Sequence, residues 1–274
     1  MVEFLILMNV FLRSLFQTKS EKSVLAFHER YFTSVEDSLP EDIFIAGYPK
    51  SGNNWFQELV ASLVFGILAD RTHPRLIGDL VPDIHYKPYY IRYQTPTFFK
   101  THFKPLPRYQ NVVYILRDGR DAVVSYWHHI NALQNCEVDF LTMVRTGQNM
   151  FPCKWHEHVE AWMENPYKAR MIIIKYEDLI AEPVRQLERF CVFSGIEAET
   201  SDLERASERT TFAKMLDREK RRGTCFDEDS PWPKDRLFRR RGVVGSFRDE
   251  MPDEILKAFL LEAGSTLEKQ GYAI

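Results

Sequence analysis

Apolar positions along the chain fall into two rhythms. Three runs of strand length are continuous rather than alternating: Asp42 to Tyr48 (DIFIAGY), Asn111 to Leu116 (NVVYIL) and Met171 to Tyr176 (MIIIKY). Continuous runs rich in Ile, Val, Tyr and Phe predict strands covered on both faces, as in a parallel sheet. Pro96 to Thr101 (PTFFKT) is a weaker fourth candidate. The second rhythm is helical. Asn53 to Leu68 places Trp55, Phe56, Leu59, Val60, Leu63, Val64 and Ile67 at helical spacing. Asp121 to Leu133 follows the second strand. Leu179 to Ser194 follows the third and stops before Gly195, a C-cap. Asp253 to Gly271 repeats the pattern near the C-terminus. One stretch, Asp217 to Arg241, is crowded with charge, Pro and Gly. It predicts a long loop of the kind that gates a site. Strands alternating with helices predict an α/β fold: a single domain whose central, mostly parallel sheet is flanked by helices. Ligands in such sheets bind at the carboxyl ends of the strands.

The N-terminal segment, residues 1–35, is expected to be helical and to precede the domain proper at 36–274. Phe4 to Phe16 (FLILMNVFLRSLF) is strongly apolar. It is shorter than the ~20 residues of a bilayer span, and Asn9 and Arg13 interrupt it. Glu3 stands where a signal peptide carries basic residues. Two readings stay open: a docked amphipathic helix, or a helix in weak contact with a membrane surface. Composition adds exclusions. An apolar fraction of 45% with 27% charged residues is that of a globular chain, which sets aside a disordered, collagenous or multi-span protein. Lys plus Arg number 36 against 39 for Asp plus Glu, so the net charge is −3. A general polyanion binder is usually basic, so no nucleic-acid partner is expected and any anion site is local. Cys136, Cys153, Cys191 and Cys225 form no C-x-x-C pair. They fit reduced thiols in a reducing compartment, the cytoplasm. The histidine pairs His128/His129 and His156/His158 have no metal-ligand spacing and read as structural, and no metal site is expected.

Candidate chemistry follows the strands. After the first comes Gly47-Tyr48-Pro49-Lys50-Ser51-Gly52-Asn53-Asn54-Trp55. Its two glycines are spaced as in a phosphate loop, so the fold is P-loop-like. The Lys and magnesium-binding hydroxyl that normally follow the second Gly are missing. Backbone N–H groups at a helix N-terminus still cradle an anion. After the second strand, Arg117 can fork onto a phosphate, and Ser125 lies two turns into the next helix. Asp118 and Asp121 read as part of a salt-linked turn with the arginines.

The loop YPKSGNNW, the element RDGRDAVVS and the late RRGVVGSFRD, in this order, resemble the cytosolic-type sulfotransferases, which use 3′-phosphoadenosine 5′-phosphosulfate (PAPS). The resemblance runs from about Ile43 to Tyr272, with a tail closer to bacterial-type members. It implies that Lys50, Ser51, Gly52, Asn53 and Asn54 grip the 5′-phosphosulfate, with Trp55, Tyr176, Thr210 and Phe212 near the adenine. It implies that Arg117, Ser125, Arg240, Arg241 and Gly242 hold the 3′-phosphate. Two departures stand out: Asn53-Asn54 replaces the usual Thr-Thr, and Gly245-Ser246-Phe247 replaces Gly-Asp-Trp. The family's base is the His of Lys-Thr-His, here Lys100-Thr101-His102, with Lys50 and Lys100 neutralising developing charge. The resemblance implies in-line transfer of the sulfuryl group from PAPS to a hydroxyl (or amine) of the acceptor; a hydroxyl needs its proton removed as it attacks, which a neutral His can do near pH 7. The sulfuryl group carries less charge than a phosphoryl group, so no metal is required. The acceptor, a small molecule, lipid or sugar, is not legible. The tyrosine-rich stretch Leu76 to Tyr93 either packs or lines its pocket. Two rival functions remain: a P-loop small-molecule kinase, and a nucleotide binder without catalysis. The dimer patch of many animal members is missing, which leaves the oligomeric state open.

Overall fold

The structure, a computed structural model, describes residues 32–134, 137–223, 232–233 and 235–274. The residues 4–16, Cys136, Cys225 and part of the expected gating stretch lie outside these. Among the described residues, the central sheet has four strands, all parallel. They are β2 (Ile43–Gly47), β4 (Phe98–Thr101), β5 (Asn111–Leu116) and β6 (Arg170–Lys175), in spatial order β4-β2-β5-β6. A small antiparallel ribbon pairs β1 (Thr33–Ser34) with β3 (Tyr89–Tyr90). Two residues per strand leave no pattern to read in the sequence.

Alternate side chains of the sheet feed two cores. Phe44, Ala46, Val112, Tyr114 and Leu116 point to one face, where they meet α3 (Gly119–Gln134), α5 (Trp155–Glu164) and α11 (Asp253–Lys269). Ile43, Ile45, Val113, Ile115 and Ile174 point to the other. There they meet α1 (Asn53–Phe65), α7 (Pro183–Ser194) and α8 (Thr200–Arg209). Both faces of β2 are buried, which is why its sequence is a continuous apolar run. Each large aliphatic side chain so buried contributes about 1.5–3 kcal/mol. Helices α1 and α3 leave neighbouring strands toward opposite faces. The crevice between their N-termini, at the carboxyl ends of β2 and β5, is the topological switch point of the sheet.

Three element boundaries differ from expectation. The first helix ends at Phe65 because Gly66 turns left-handed. The helix expected over Leu179–Ser194 is two: α6 (Tyr176–Ala181) and α7, broken at Glu182 (φ −137, ψ 60) by Pro183. Proline lacks the N–H and disfavours helical backbone in the residue before it. The expected loop from Asp217 begins later. Residues 217–222 are the end of α9 (Phe212–Arg222), which closes at Gly223. Short helices α2 (Pro74–Leu80), α4 (Phe140–Thr146) and α10 (Phe247–Glu250) complete the fold. Among the described residues, no helix is long and apolar enough to cross a membrane. Cys153 and Cys191 are free thiols.

Candidate active site

The first loop leaves β2 at the middle of the sheet and turns into α1. Lys50 takes a left-handed backbone (φ 70), as does Gly52 (φ 103). At Gly52 a side chain is doubly forbidden: a Cβ would also sit 2.6 Å from the Tyr176 ring. The loop buries donors that no protein group satisfies. Ser51 Oγ and both amide atoms of Asn53 are shut from solvent without a partner. Buried polar groups are normally bonded, so unsatisfied atoms at the head of a helix fit an anionic ligand.

Arg117 ties the elements together. Its guanidinium donates to the carbonyl oxygen of Lys50 at 3.0 Å and to that of Val243 at 3.1 Å. It lies 4.4 Å above the Tyr176 ring centroid and 3.6 Å from Asp121. Its Nε is buried with no partner. The first loop, the arginine element, the late segment and Tyr176 therefore meet at one side chain. Ser125 stands two turns along α3 from it. Trp55 abuts Tyr176 edge-on (5.8 Å) and donates its indole N–H to Thr210 Oγ1 at 3.3 Å. Phe212 presses on Gly242, a left-handed position where any Cβ would enter the ring. Trp55, Tyr176, Thr210, Phe212 and Gly242 are thus brought to one side of the loop.

The two departures find structural partners. Asn53 fills the space under Gly47, where a Cβ would meet its amide at 2.7 Å. Asp121, fully buried, accepts the N–H groups of Gly245 (2.7 Å) and Phe247 (2.9 Å) and lies 3.2 Å from Ser246 Oγ. Arg120 forks onto Asp118 and covers the Phe247 ring. The aspartates thus build the turn and hold the late segment onto α3.

His102 follows β4, and its Nδ1 lies 2.8 Å from the carbonyl oxygen of Gly47. A carbonyl only accepts, so Nδ1 carries the proton and Nε2 keeps its lone pair. The backbone of His102 is held from both sides. Its N–H donates to His85 Nε2 at 2.8 Å, and its carbonyl accepts from His158 Nε2 at 3.1 Å. His158 in turn takes the Tyr114 hydroxyl on Nδ1 at 2.9 Å. Burial, then the charge of Lys100, pushes the His102 pKa down to about 3. Burial takes His158 to about 4. His102 is therefore neutral at pH 7, the form a general base requires. Lys100 is engaged elsewhere: its ammonium pairs with Asp83 at 2.5 Å, and Asp83 is held ionised by it. Its backbone bridges to Asp83, two residues before His85. Lys100 is thus tied to the segment that seats His85 on His102.

Lys50 lies over the Phe238 ring, 3.8 Å from its centroid. Arg240 and Arg241 both pair with Glu250, which also holds His128 at 3.0 Å. Both arginines face Glu250. Sequence reasoning read His158 as structural, gave His85 no role beyond lying in the tyrosine-rich stretch, and did not single out Asp83, Glu250 or Phe238. Each is an isolated residue that topology delivers, so no spacing announces it. Of the tyrosine-rich stretch, Tyr90 packs on Phe99, while Tyr86, Tyr89 and Tyr93 are exposed. Among the described residues, no group of three His, Cys, Asp or Glu side chains could hold a metal ion.

A parallel sheet with an anion loop at its switch point, a neutral histidine beside it and an arginine clamp defines a group-transfer site. The family model of the sulfotransferase domain matches residues 40–262. The chain belongs to the sulfotransferase family. It is 23% identical over 252 residues to mouse sulfotransferase 1E1, covering 84% of this chain and 85% of that one. It is 31% identical over 199 residues to zebrafish cytosolic sulfotransferase 1, covering 64% and 66%. In structure it resembles retinol dehydratase solved with androsterone and the inactive cofactor PAP. The TM-score is 0.63 at 22% identity, covering 86% of this chain and 83% of that one. It also resembles mouse sulfotransferase SULT7A1 with PAP, with TM-score 0.62 at 20% identity, covering 86% and 87%.

Proposed function

We propose that this chain transfers a sulfuryl group from PAPS to a hydroxyl of a small organic acceptor, in the cytoplasm and without a metal. The observation that carries the reading is the convergence on Arg117 beside buried, unpartnered donors of the first loop. Related proteins solved with PAP, and with androsterone or retinol beside it, support the donor and an acceptor of this kind.

The bound nucleotide supplies an activated sulfuryl group on a phosphate leaving group. Ser51, Asn53 and the loop N–H groups would hold the 5′ end, and Arg117 with Ser125 would hold the 3′-phosphate. Trp55 and Tyr176 would flank the base. His102 Nε2 accepts the proton of the attacking hydroxyl, while the Gly47 carbonyl keeps Nδ1 protonated and fixes the ring. A bound dianion beside His102 would raise its basicity. Lys50 stabilises the charge that builds on the leaving oxygen. Most of the catalysis is positioning and electrostatics, as in phosphoryl transfer.

The test is a calorimetric titration with 3′-phosphoadenosine 5′-phosphate (PAP), ATP as control and Arg117→Ala alongside. Preference for PAP over ATP, lost in the variant, is expected. Equal binding of the two nucleotides would sink the reading and favour the kinase.

A further inference from the structure

Among the described residues β4 is an edge strand of the central sheet, and residues 82–84 begin a further row beside it. Asp83 bridges to Lys100 in parallel. The N–H of Lys100 donates to the carbonyl oxygen of Pro82 at 2.8 Å, and the N–H of Ile84 donates to that of Lys100 at 3.1 Å. Residues two apart on a strand direct their N–H groups to the same side, so the next rung falls to His102. A continued ladder would offer its N–H the carbonyl oxygen of Ile84. The chain turns away instead: the N–H groups of Tyr86 and Lys87 both donate to the carbonyl oxygen of Asp83, at 3.1 and 3.0 Å. The His102 N–H goes to an imidazole, donating to His85 Nε2 at 2.8 Å.

An N–H only donates, so His85 Nε2 bears the lone pair and Nδ1 carries the proton. The bond requires a neutral ring. Burial pushes the His85 pKa below the usual histidine value; Asp83 pulls the other way, and Lys100 adds to the push. The ring is held on several sides. It stacks on the His102 ring at 5.5 Å, lies 4.2 Å from Phe103 and meets Phe151 edge-on at 5.3 Å, all between centroids. Packing in this aromatic wall does not require nitrogen; a phenyl ring would do it without taking polar atoms out of water. What the imidazole adds is a bare nitrogen, set where the strand carbonyl is missing.

We propose that His85 is a positioning residue for the reaction: its Nε2 stands in for the missing strand carbonyl, fixes the backbone of His102 and so aims the base at the acceptor hydroxyl. This deepens the sulfuryl-transfer reading and rests on it. Two anchors then set the base. The Gly47 carbonyl holds the His102 ring, and His85 holds the backbone that carries it. With the second anchor gone the ring can shift, and a misplacement of about 1 Å lowers the rate on the order of 10²-fold.

The test compares wild type, His85→Leu and His85→Gln in turnover with PAPS and 2-naphthol, androsterone or retinol, alongside calorimetric binding of PAP. Leucine fills the wall but accepts no hydrogen bond; glutamine can bring its Oε1 to the place of Nε2. His85→Leu should lower kcat about 10- to 100-fold while KM for PAPS and the affinity for PAP stay within about twofold of wild type. His85→Gln should recover most of kcat. A leucine variant as fast as wild type, or a PAP-binding glutamine variant as slow as the leucine one, overturns the role of His85 and leaves the transferase standing. Long-range proton–nitrogen NMR of the wild type reads the same bond without a variant, and so decides even if His85→Leu does not fold. The His85 ring should carry its proton on Nδ1 at pH 7; a proton on Nε2 overturns the proposal. A wild type that binds PAP but transfers to none of the three acceptors overturns the sulfuryl-transfer reading and this one with it.

Discussion

Glu219→Gln is the most informative single change outside the reacting groups. Two carboxylates and two guanidinium groups lie together out of solvent between α1, α9 and the late segment. Glu58 Oε1 takes Arg218 at 2.7 Å and also takes Arg239. Glu219 takes Arg239 at 3.0 Å and accepts the backbone N–H groups of Phe238 and Arg239. Arg218 completes its bonding on the carbonyl oxygen of Ala69 at 2.6 Å. The Arg218 side chain is 0% exposed and that of Glu219 is 0% exposed, so solvent cannot screen an imbalance. Glutamine keeps the shape and one carbonyl acceptor but, among the described residues, leaves two cations facing one anion. Breaking a buried pair in this way costs about 3–5 kcal/mol. At roughly 2–4 °C per kcal/mol for a chain of this size, Tm should drop by about 6–20 °C. Circular dichroism during heating measures it. Removing the surplus cation as well, in Glu219→Gln/Arg239→Met, should recover much of the loss, since a balanced Arg218–Glu58 pair remains. A single variant within 2 °C of wild type, or a double variant no better than the single, would refute this account of the cluster. Because Phe238 hangs on Glu219, the single variant should also lower turnover, through loss of the ring beneath Lys50.

Three further outcomes are expected. Glu250→Gln releases Arg240 and Arg241 from their carboxylate, so the PAP dissociation constant should fall about three- to tenfold by calorimetry; weaker binding would mean that Glu250 aims the arginines at the nucleotide instead. His102 and His158 are neutral in the fold, with pKa values of about 3 and about 4, against about 6.5 unfolded. Their contribution is complete above pH 6.5 and is lost as pH falls toward 4, by up to about 1.4 kcal/mol per pH unit for each ring. Urea unfolding at pH 7, 6 and 5 should show this slope, and His158→Gln should flatten it by one proton's worth; an unaltered slope would contradict the assignment. His102→Ala should reduce kcat by about 10²–10⁴-fold in a PAPS turnover assay while PAP still binds; retained turnover would remove it as the base.

The sheet could be read from the chain because each strand is buried on both faces. Ile43, Phe44 and Ile45 must then all be apolar, and a continuous run results. The helix break at Pro183 was obscured by apolar spacing that carries on through it. Helix α9 was invisible for the opposite reason. Its inward face is Met215, Arg218 and Glu219, so it buries an ionic cluster where an apolar stripe would have betrayed it. The loop around Lys50 and the Arg117 element were legible as local patterns at strand ends. His85, His129 and His158 were not, because their partners lie far along the chain: Phe238 against His129, and Tyr114 and His102 against His158.

Glu219 also marks where the molecule tolerates change in length. The N–H of Gly223 donates to its backbone carbonyl at 2.9 Å, and that of Phe238 donates to its carboxylate. The chain between them departs from and returns to a single residue. With its ends already fastened, the entropy of closing such a stretch rises by only about 0.6 kcal/mol for each doubling of its length. Among the described residues between 223 and 238 none belongs to the two cores that flank the sheet, so an insertion in this stretch is expected to leave them in place. It makes a natural splice point for a reporter or a binding peptide.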